Sequence, residues 1–177
     1  MSLTFLTGGA RSGKSALAVR RALRLAADGA AVTFVATGQA RDEEMAERIR
    51  RHQEERPDGW TTVEAPVDLV GAVAALPPGG CVVIDCLALW VSNLMEAQED
   101  EAATLARARE LATWAAAYPG TVVVVSNEVG LGIVPMHPLS REYRDRLGRV
   151  NAILAARADL AQLVVAGRTL TLEPVED

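Results

Sequence analysis

Apolar and polar positions alternate along this chain in blocks, each of a length that fits one element of secondary structure. Leu3-Thr4-Phe5-Leu6-Thr7, Ala31 to Ala36, Cys81 to Asp85 and Thr121 to Val125 are short apolar runs bounded by turn residues, the pattern of strands buried on both faces. Between them lie longer segments of helical character. Leu17, Leu23 and Leu25 mark a helix to about Ala27, closed by Asp28-Gly29. Asp42 is placed to cap a polar helix from about Glu43 to Glu55, with Met45 and Ile49 as a thin apolar stripe and Pro57-Asp58-Gly59 beyond it.

Trp60 to Glu64 reads as a short extended piece, and Asp68 to Leu76 as a short helix stopped by Pro77-Pro78-Gly79-Gly80. Leu87 to Met95 and Glu101 to Ala117 read as helices, and Ser140 opens a long one to about Ala158. Leu160 to Ala166 and Thr169 to Leu172 close the chain as two strands around Gly167. Strands alternating with helices predict an α/β fold, a three-layer arrangement with a mostly parallel central sheet and an antiparallel edge, in a single domain over 1–177.

The turn after the first strand changes the picture from fold to chemistry. Gly8-Gly9-Ala10-Arg11-Ser12-Gly13-Lys14-Ser15 fits the phosphate-loop pattern GxxxxGK(S/T) between a strand and a helix, the context that gives the motif its meaning. Gly8, Gly9 and Gly13 free the backbone to turn its N–H groups around phosphate oxygens, and the helix start adds partial positive charge. Lys14 reaches the β- and γ-phosphates, and the Ser15 hydroxyl is suited to Mg²⁺. Asp85, delivered to the carboxyl end of an apolar strand, completes a candidate metal site. The resulting expectation is a nucleoside triphosphate-binding α/β protein of the phosphate-loop (P-loop) NTPase, RecA-like type.

Composition narrows this further. Half of the 177 residues are hydrophobic and 23% are charged, the balance of a globular chain. The net charge of −5 and the lack of a long basic run speak against nucleic acid as partner. No apolar stretch reaches membrane-span length, and the first strand begins at once, so a cytoplasmic location without a secretory leader is expected. Cys81 and Cys86 have no metal-binding spacing and are expected to be buried, reduced thiols.

Histidine chemistry rests on two residues. His137, between Met136 and Pro138, is expected to be exposed in a loop. His52 is flanked at helical spacing by Arg48 and Arg56. Two guanidiniums beside an imidazole favour its neutral, nucleophilic form and can also hold a triphosphate. The alternative is a solvated basic helix face with an incidental histidine.

Several further stretches resemble one family. These are the Glu44-to-His52 helix, Arg56-Pro57 before Trp60, Asp85-Cys86-Leu87, Leu89-Trp90-Val91-Ser92-Asn93-Leu94, the loop from Asn127 to Pro135, and Tyr143-Arg144-Asp145 with Gly148-Arg149-Val150-Asn151. Together with the phosphate loop they are similar to the bifunctional adenosylcobinamide kinase/adenosylcobinamide-phosphate guanylyltransferase family of cobalamin biosynthesis, over nearly the whole chain. The resemblance implies two reactions. ATP or GTP phosphorylates the aminopropanol hydroxyl of adenosylcobinamide, and GTP then gives GMP through an enzyme histidine to the resulting phosphate, forming adenosylcobinamide-GDP and pyrophosphate.

The resemblance places the guanylylated histidine on His52, beside Lys14 as the other catalytic residue. It places nucleotide contacts on the phosphate loop, Thr37, Gly38, Gln39, Gln53, Glu54, Glu55, Arg56, Glu64 and Asp85, with Ser15 and Asp85 holding Mg²⁺. Some members carry histidine where this chain has Arg51, and glutamate where it has Asp85. A homotrimer is implied, with the histidine helix near a subunit boundary. Trp90, the 127–135 loop and the arginines of the last long helix are candidates for acceptor contact, each with a packing alternative. Two competing readings remain: a P-loop kinase for another small metabolite, and a nucleotide-dependent switch with a macromolecular partner.

Overall fold

β4 (Cys81–Asp85) and β5 (Thr121–Val125) are nearly continuous runs of Val and Ile, and β1 (Ser2–Thr7) is almost as apolar. Strands of that kind fit only where both faces are covered, and these three lie side by side at the centre of a seven-stranded sheet. A computed structural model describes residues 2–54 and 56–175; Met1, Glu55, Glu176, Asp177 and the side chains of Arg48 and His52 lie outside the described residues. The remaining strands are β2 (Val32–Ala36), β3 (Thr61–Glu64), β6 (Leu160–Val165) and β7 (Arg168–Leu172), in the order β3-β2-β4-β5-β1-β6-β7. All neighbours are parallel except β6 and β7, which pair antiparallel. The mixed, mostly parallel sheet and its antiparallel edge agree with the sequence expectation. Ala166 and Gly167 both take positive φ, the geometry of a two-residue hairpin turn.

The helices are α1 (Lys14–Ala27), α2 (Glu43–Glu54), α3 (Leu69–Ala74), α4 (Leu87–Glu96), α5 (Glu101–Ala117) and α6 (Pro138–Ala155). α1 lies on β1, β4 and β5, while α5 and α6 pack on each other and on β1, with α3 against α5 and α4 against α6. Asp42, Asp68 and Asp100 cap α2, α3 and α5 by accepting a backbone N–H three residues on. α6 starts two residues before the expected Ser140 because Pro138 sits in its first turn, where the missing N–H costs nothing, and it ends at Ala155 rather than near Ala158. α2 is described over Glu43–Glu54, and Arg56 is not helical.

Phe5, Leu6, Ile84, Trp90, Leu111, Leu147 and Leu154 are among the side chains wholly removed from water in a single core. Cys81 and Cys86 are free and buried within it, as expected. Burial raises their thiols to about 11 and about 12.

Candidate active site

Register lines up the site along the carboxyl edge of the sheet. Ala36 of β2 is paired with Glu64 of β3 on one side and Asp85 of β4 on the other; Asp85 is level with Val125 of β5, and Val125 with Leu6 of β1. Glu64, Asp85 and the start of the phosphate loop therefore emerge at one height. Asp85 and β1 are separated by one strand, about 10 Å at ordinary strand spacing. That distance suits a carboxylate reaching a metal held beside phosphates.

The phosphate loop is shaped by two close constraints. Gly8 has φ +146, and a Cβ there would lie 2.2 Å from the backbone oxygen of Val164 in β6. Gly13 has φ +100 and is the residue from which α1 departs. Gly9 differs from the expectation: its φ is not positive and a Cβ would meet nothing within 4 Å. Neither strain nor packing demands glycine there, which matches the open position it occupies in the motif. Arg11 takes a positive φ at the exposed tip. The Gly167 N–H donates to the Ser12 carbonyl at 2.9 Å, so the β6–β7 turn braces the loop from the side.

Lys14 is buried, and its ammonium donates to the carbonyls of Gly8 (2.8 Å) and Gly9 (2.6 Å) and to Ser12 Oγ (3.4 Å). The positive charge is thereby fixed at the first residues of the loop. Ser15 is half-buried in the first turn of α1.

Thr37 is buried and locked to the start of α4, its hydroxyl donating to the Cys86 carbonyl (2.7 Å) and accepting the Cys86 N–H (2.9 Å). Asn93 secures the same turn from the inside of α4. Its amide donates to the carbonyls of Thr37 and Pro66, both at 2.8 Å, and its oxygen accepts from Arg41 (2.8 Å). A Cβ on Gly38 would stand 3.5 Å from Ile49 and Leu89, so the stripe of α2 rests on this turn. Gln39 is exposed and accepts from Arg41.

Past the end of α2, Arg56 turns to the sheet, its guanidinium 3.8 Å over the Phe34 ring and 3.2 Å from Thr62 Oγ1. Burial lowers its pKa, against the opposing pull of Asp85 and Glu64. Of the three residues expected to share a face, Arg48, His52 and Arg56, only the Arg56 side chain lies within the described residues. His52 lies in the last turn of α2, but its side chain is outside the described residues, as are that of Arg48 and the whole of Glu55. Glu54 is exposed and pairs with Arg50. A cleft of about 500 Å³ opens beside β3, lined among others by Gln53, Arg56, Trp60 and Glu64.

Phe34 and Asn93 acquire roles that the sequence reading had not assigned them. Asn93 lay within a stretch noted for resemblance, which was the only signal for it. Trp90 is excluded from acceptor contact, being fully buried with its indole N–H on the Val67 carbonyl (2.9 Å). Among the arginines of α6, Arg146 is structural, buried on Glu99 O, Thr104 and Glu142, while Arg141 holds the carbonyls of Pro135 and Met136 and, at the surface, Arg149 pairs with Glu101 and Arg144 with Asp145. His137 is exposed at the start of α6.

Among the described residues no three His, Cys, Asp or Glu side chains cluster to form a metal cage. Ser15 and Asp85 are a donor set of one hydroxyl and one carboxylate, which fits Mg²⁺ bound largely through substrate phosphates. No helix among the described residues is long and apolar enough to cross a membrane.

The model of the family described as cobinamide kinase / cobinamide phosphate guanyltransferase matches residues 4–172. The bifunctional adenosylcobalamin biosynthesis protein CobP of Pseudomonas aeruginosa is 41% identical over 170 residues, covering 95% of each chain. The corresponding CobU proteins of Escherichia coli K12 and Salmonella typhimurium are 40% and 41% identical over 178 residues, covering 93% of this chain and 96% of theirs. Among solved structures, an ATPase domain superposes with a TM-score of 0.52 at 13% identity, over 92% of this chain and 68% of that one. That likeness concerns the α/β fold alone.

Proposed function

The chain belongs to the cobinamide kinase / cobinamide phosphate guanyltransferase family, and from that membership we propose that its two activities share the sheet edge described above. It is a bifunctional enzyme of cobalamin biosynthesis, a kinase and a nucleotidyltransferase. The observation that carries the reading is the alignment of Lys14 on the phosphate loop with Asp85 and Glu64 along one edge. The strand order, with β5 between β1 and β4, supports a RecA-like P-loop assignment.

In the kinase step the aminopropanol hydroxyl oxygen of adenosylcobinamide bonds to the γ-phosphorus of ATP or GTP. The bond from that phosphorus to the β–γ bridging oxygen breaks, nucleoside diphosphate leaves, and the hydroxyl proton passes to solvent. Lys14 stabilises the charge that develops on the transferred group. In the second step a ring nitrogen of His52 bonds to the α-phosphorus of GTP, pyrophosphate leaves and the imidazole gives up its proton. A phosphate oxygen of adenosylcobinamide phosphate then bonds to the same phosphorus, the P–N bond breaks and adenosylcobinamide-GDP forms. A covalent intermediate divides a transfer between two anions into two oriented displacements.

Gln53, Arg56 and Glu64 are assigned to the guanine nucleotide, consistent with the cleft they line. Ser15 and Asp85 would hold Mg²⁺, which supplies charge neutralisation on the phosphates when bound. A homotrimer, and a small corrinoid rather than nucleic acid as partner, belong to the same reading; the net charge of −5 accords with the latter.

The test is incubation with adenosylcobinamide, Mg²⁺ and GTP, with products resolved by chromatography. Adenosylcobinamide phosphate followed by adenosylcobinamide-GDP is expected, with both lost in Lys14→Ala. Nucleotide hydrolysis without any corrinoid product would contradict the assignment.

A further inference from the structure

We infer that the loop between β5 and α6 is the surface on which the corrin macrocycle of the acceptor lies, an inference that rests on the function proposed above. Eleven large hydrophobic side chains are exposed among the described residues; five of them, Val129, Leu131, Ile133, Val134 and Met136, fall in this one loop, and a sixth, Leu139, follows in the first turn of α6. Ile133 and Met136 are 97% and 96% exposed. A patch concentrated in this way marks a binding surface more readily than scattered apolar residues do.

The loop is held in place rather than left loose. At its start, the Asn151 amide donates to the Asn127 carbonyl (2.9 Å), and Ser126 Oγ donates to Asn151 Oδ1 (2.6 Å). At its end, Arg141 donates to the carbonyls of Pro135 (3.0 Å) and Met136 (2.6 Å). α6 therefore fastens both ends, while the apolar side chains between them face solvent. Ordering such a surface before a ligand arrives lowers the entropic cost of binding.

Its position identifies the occupant. β5 is the neighbour of β1, and the Glu128 N–H donates to the Gly8 carbonyl at 3.0 Å, so the loop begins at the first residue of the phosphate loop. Lys14 places its ammonium on that same carbonyl, and this lysine marks the β/γ end of a bound triphosphate. The acceptor oxygen must stand about 3–3.5 Å from the γ-phosphorus, which leaves the body of the acceptor one side arm away from Gly8. A corrin is a wide, flat ring with a methyl-bearing rim. The loop that departs from Gly8 through Glu128 carries apolar side chains from Val129 onward that match those methyl groups.

The test compares wild type with Ile133→Ser/Met136→Ser, and with Ile133→Leu/Met136→Leu as the conservative control. The serine pair is expected to raise KM for adenosylcobinamide by about tenfold or more, with KM for GTP moving less than about twofold and the leucine pair close to wild type. An unchanged corrinoid KM in an active serine variant overturns the inference and leaves the functional assignment standing. A serine variant whose assembly state shifts in light scattering while its corrinoid KM stays put assigns the loop instead to contact between copies, and also overturns it. Wild type inactive towards adenosylcobinamide but active on another hydroxyl acceptor overturns the functional reading itself.

Discussion

Replacing Gly8 with alanine tests how the phosphate loop is built. The added Cβ would stand 2.2 Å from the Val164 carbonyl oxygen, a backbone atom that no side-chain rotation can move aside. Restoring ordinary contact requires a shift of about 1 Å in the loop or in β6, and overpacking of that kind costs about 1–3 kcal/mol. The φ of +146 adds about 1 kcal/mol for any residue with a Cβ. A total of about 2–4 kcal/mol is expected, which lowers Tm by roughly 5–15 °C in a chain of this size. Gly9→Ala is the internal control: a Cβ there meets nothing within 4 Å, so its stability should stay within about 0.5 kcal/mol of wild type. The assay is thermal unfolding of the three proteins by circular dichroism at one concentration. Equal Tm values for Gly8→Ala and Gly9→Ala would refute the claim that the contact with β6 fixes the first glycine.

Asn93→Ala strips the buried Thr37 carbonyl of its donor, at about 1–3 kcal/mol, and the half-buried Pro66 carbonyl of another; it should lower the urea midpoint and raise KM for GTP through a loosened Thr37–Gln39 turn. Phe34→Leu removes the ring beneath Arg56 and should raise KM for GTP severalfold with little change in kcat, read from initial rates at varied GTP. The thiols of Cys81 and Cys86 are raised to about 11 and about 12 by burial, whereas an unfolded thiol ionises near about 8.5. Their contribution to stability is thus complete below about pH 8.5 and is lost as pH rises towards those folded values, because the unfolded state releases protons first. Urea unfolding at pH 7.5 and pH 10 should show this decline, and Cys81→Ala should flatten it.

The apolar runs announced β1, β2, β4 and β5 because strands covered on both faces leave a continuous signal, and the phosphate loop was legible because its spacing is set by local backbone geometry. The antiparallel edge was readable from Gly167 between two apolar runs. What sequence did not carry were contacts between distant segments. Nothing local says that Gly8 touches β6 while Gly9 touches nothing, or that Asn93 reaches from α4 to the turn after β2. Arg56 looked like a helical neighbour of His52 because helical spacing continues on paper past the residue where α2 ends; its guanidinium follows Phe34, Asp85 and Glu64 to the sheet instead. Trp90 stood in a family-like stretch, yet its indole belongs to the core. A motif fixes which residues recur together, and only the packing separates those that face a ligand from those that face one another.

The central claim is that His52 carries GMP between GTP and the corrinoid. It is tested most directly by incubating the protein with Mg²⁺ and GTP labelled on the α-phosphate, in the absence of acceptor, and resolving it under denaturing conditions beside His52→Ala. The account predicts an acid-labile, base-stable label on the wild type, absent from the variant and discharged from the wild type by adenosylcobinamide phosphate. A wild-type protein that binds GTP and takes up no label, or a His52→Ala protein that labels equally well, would contradict it.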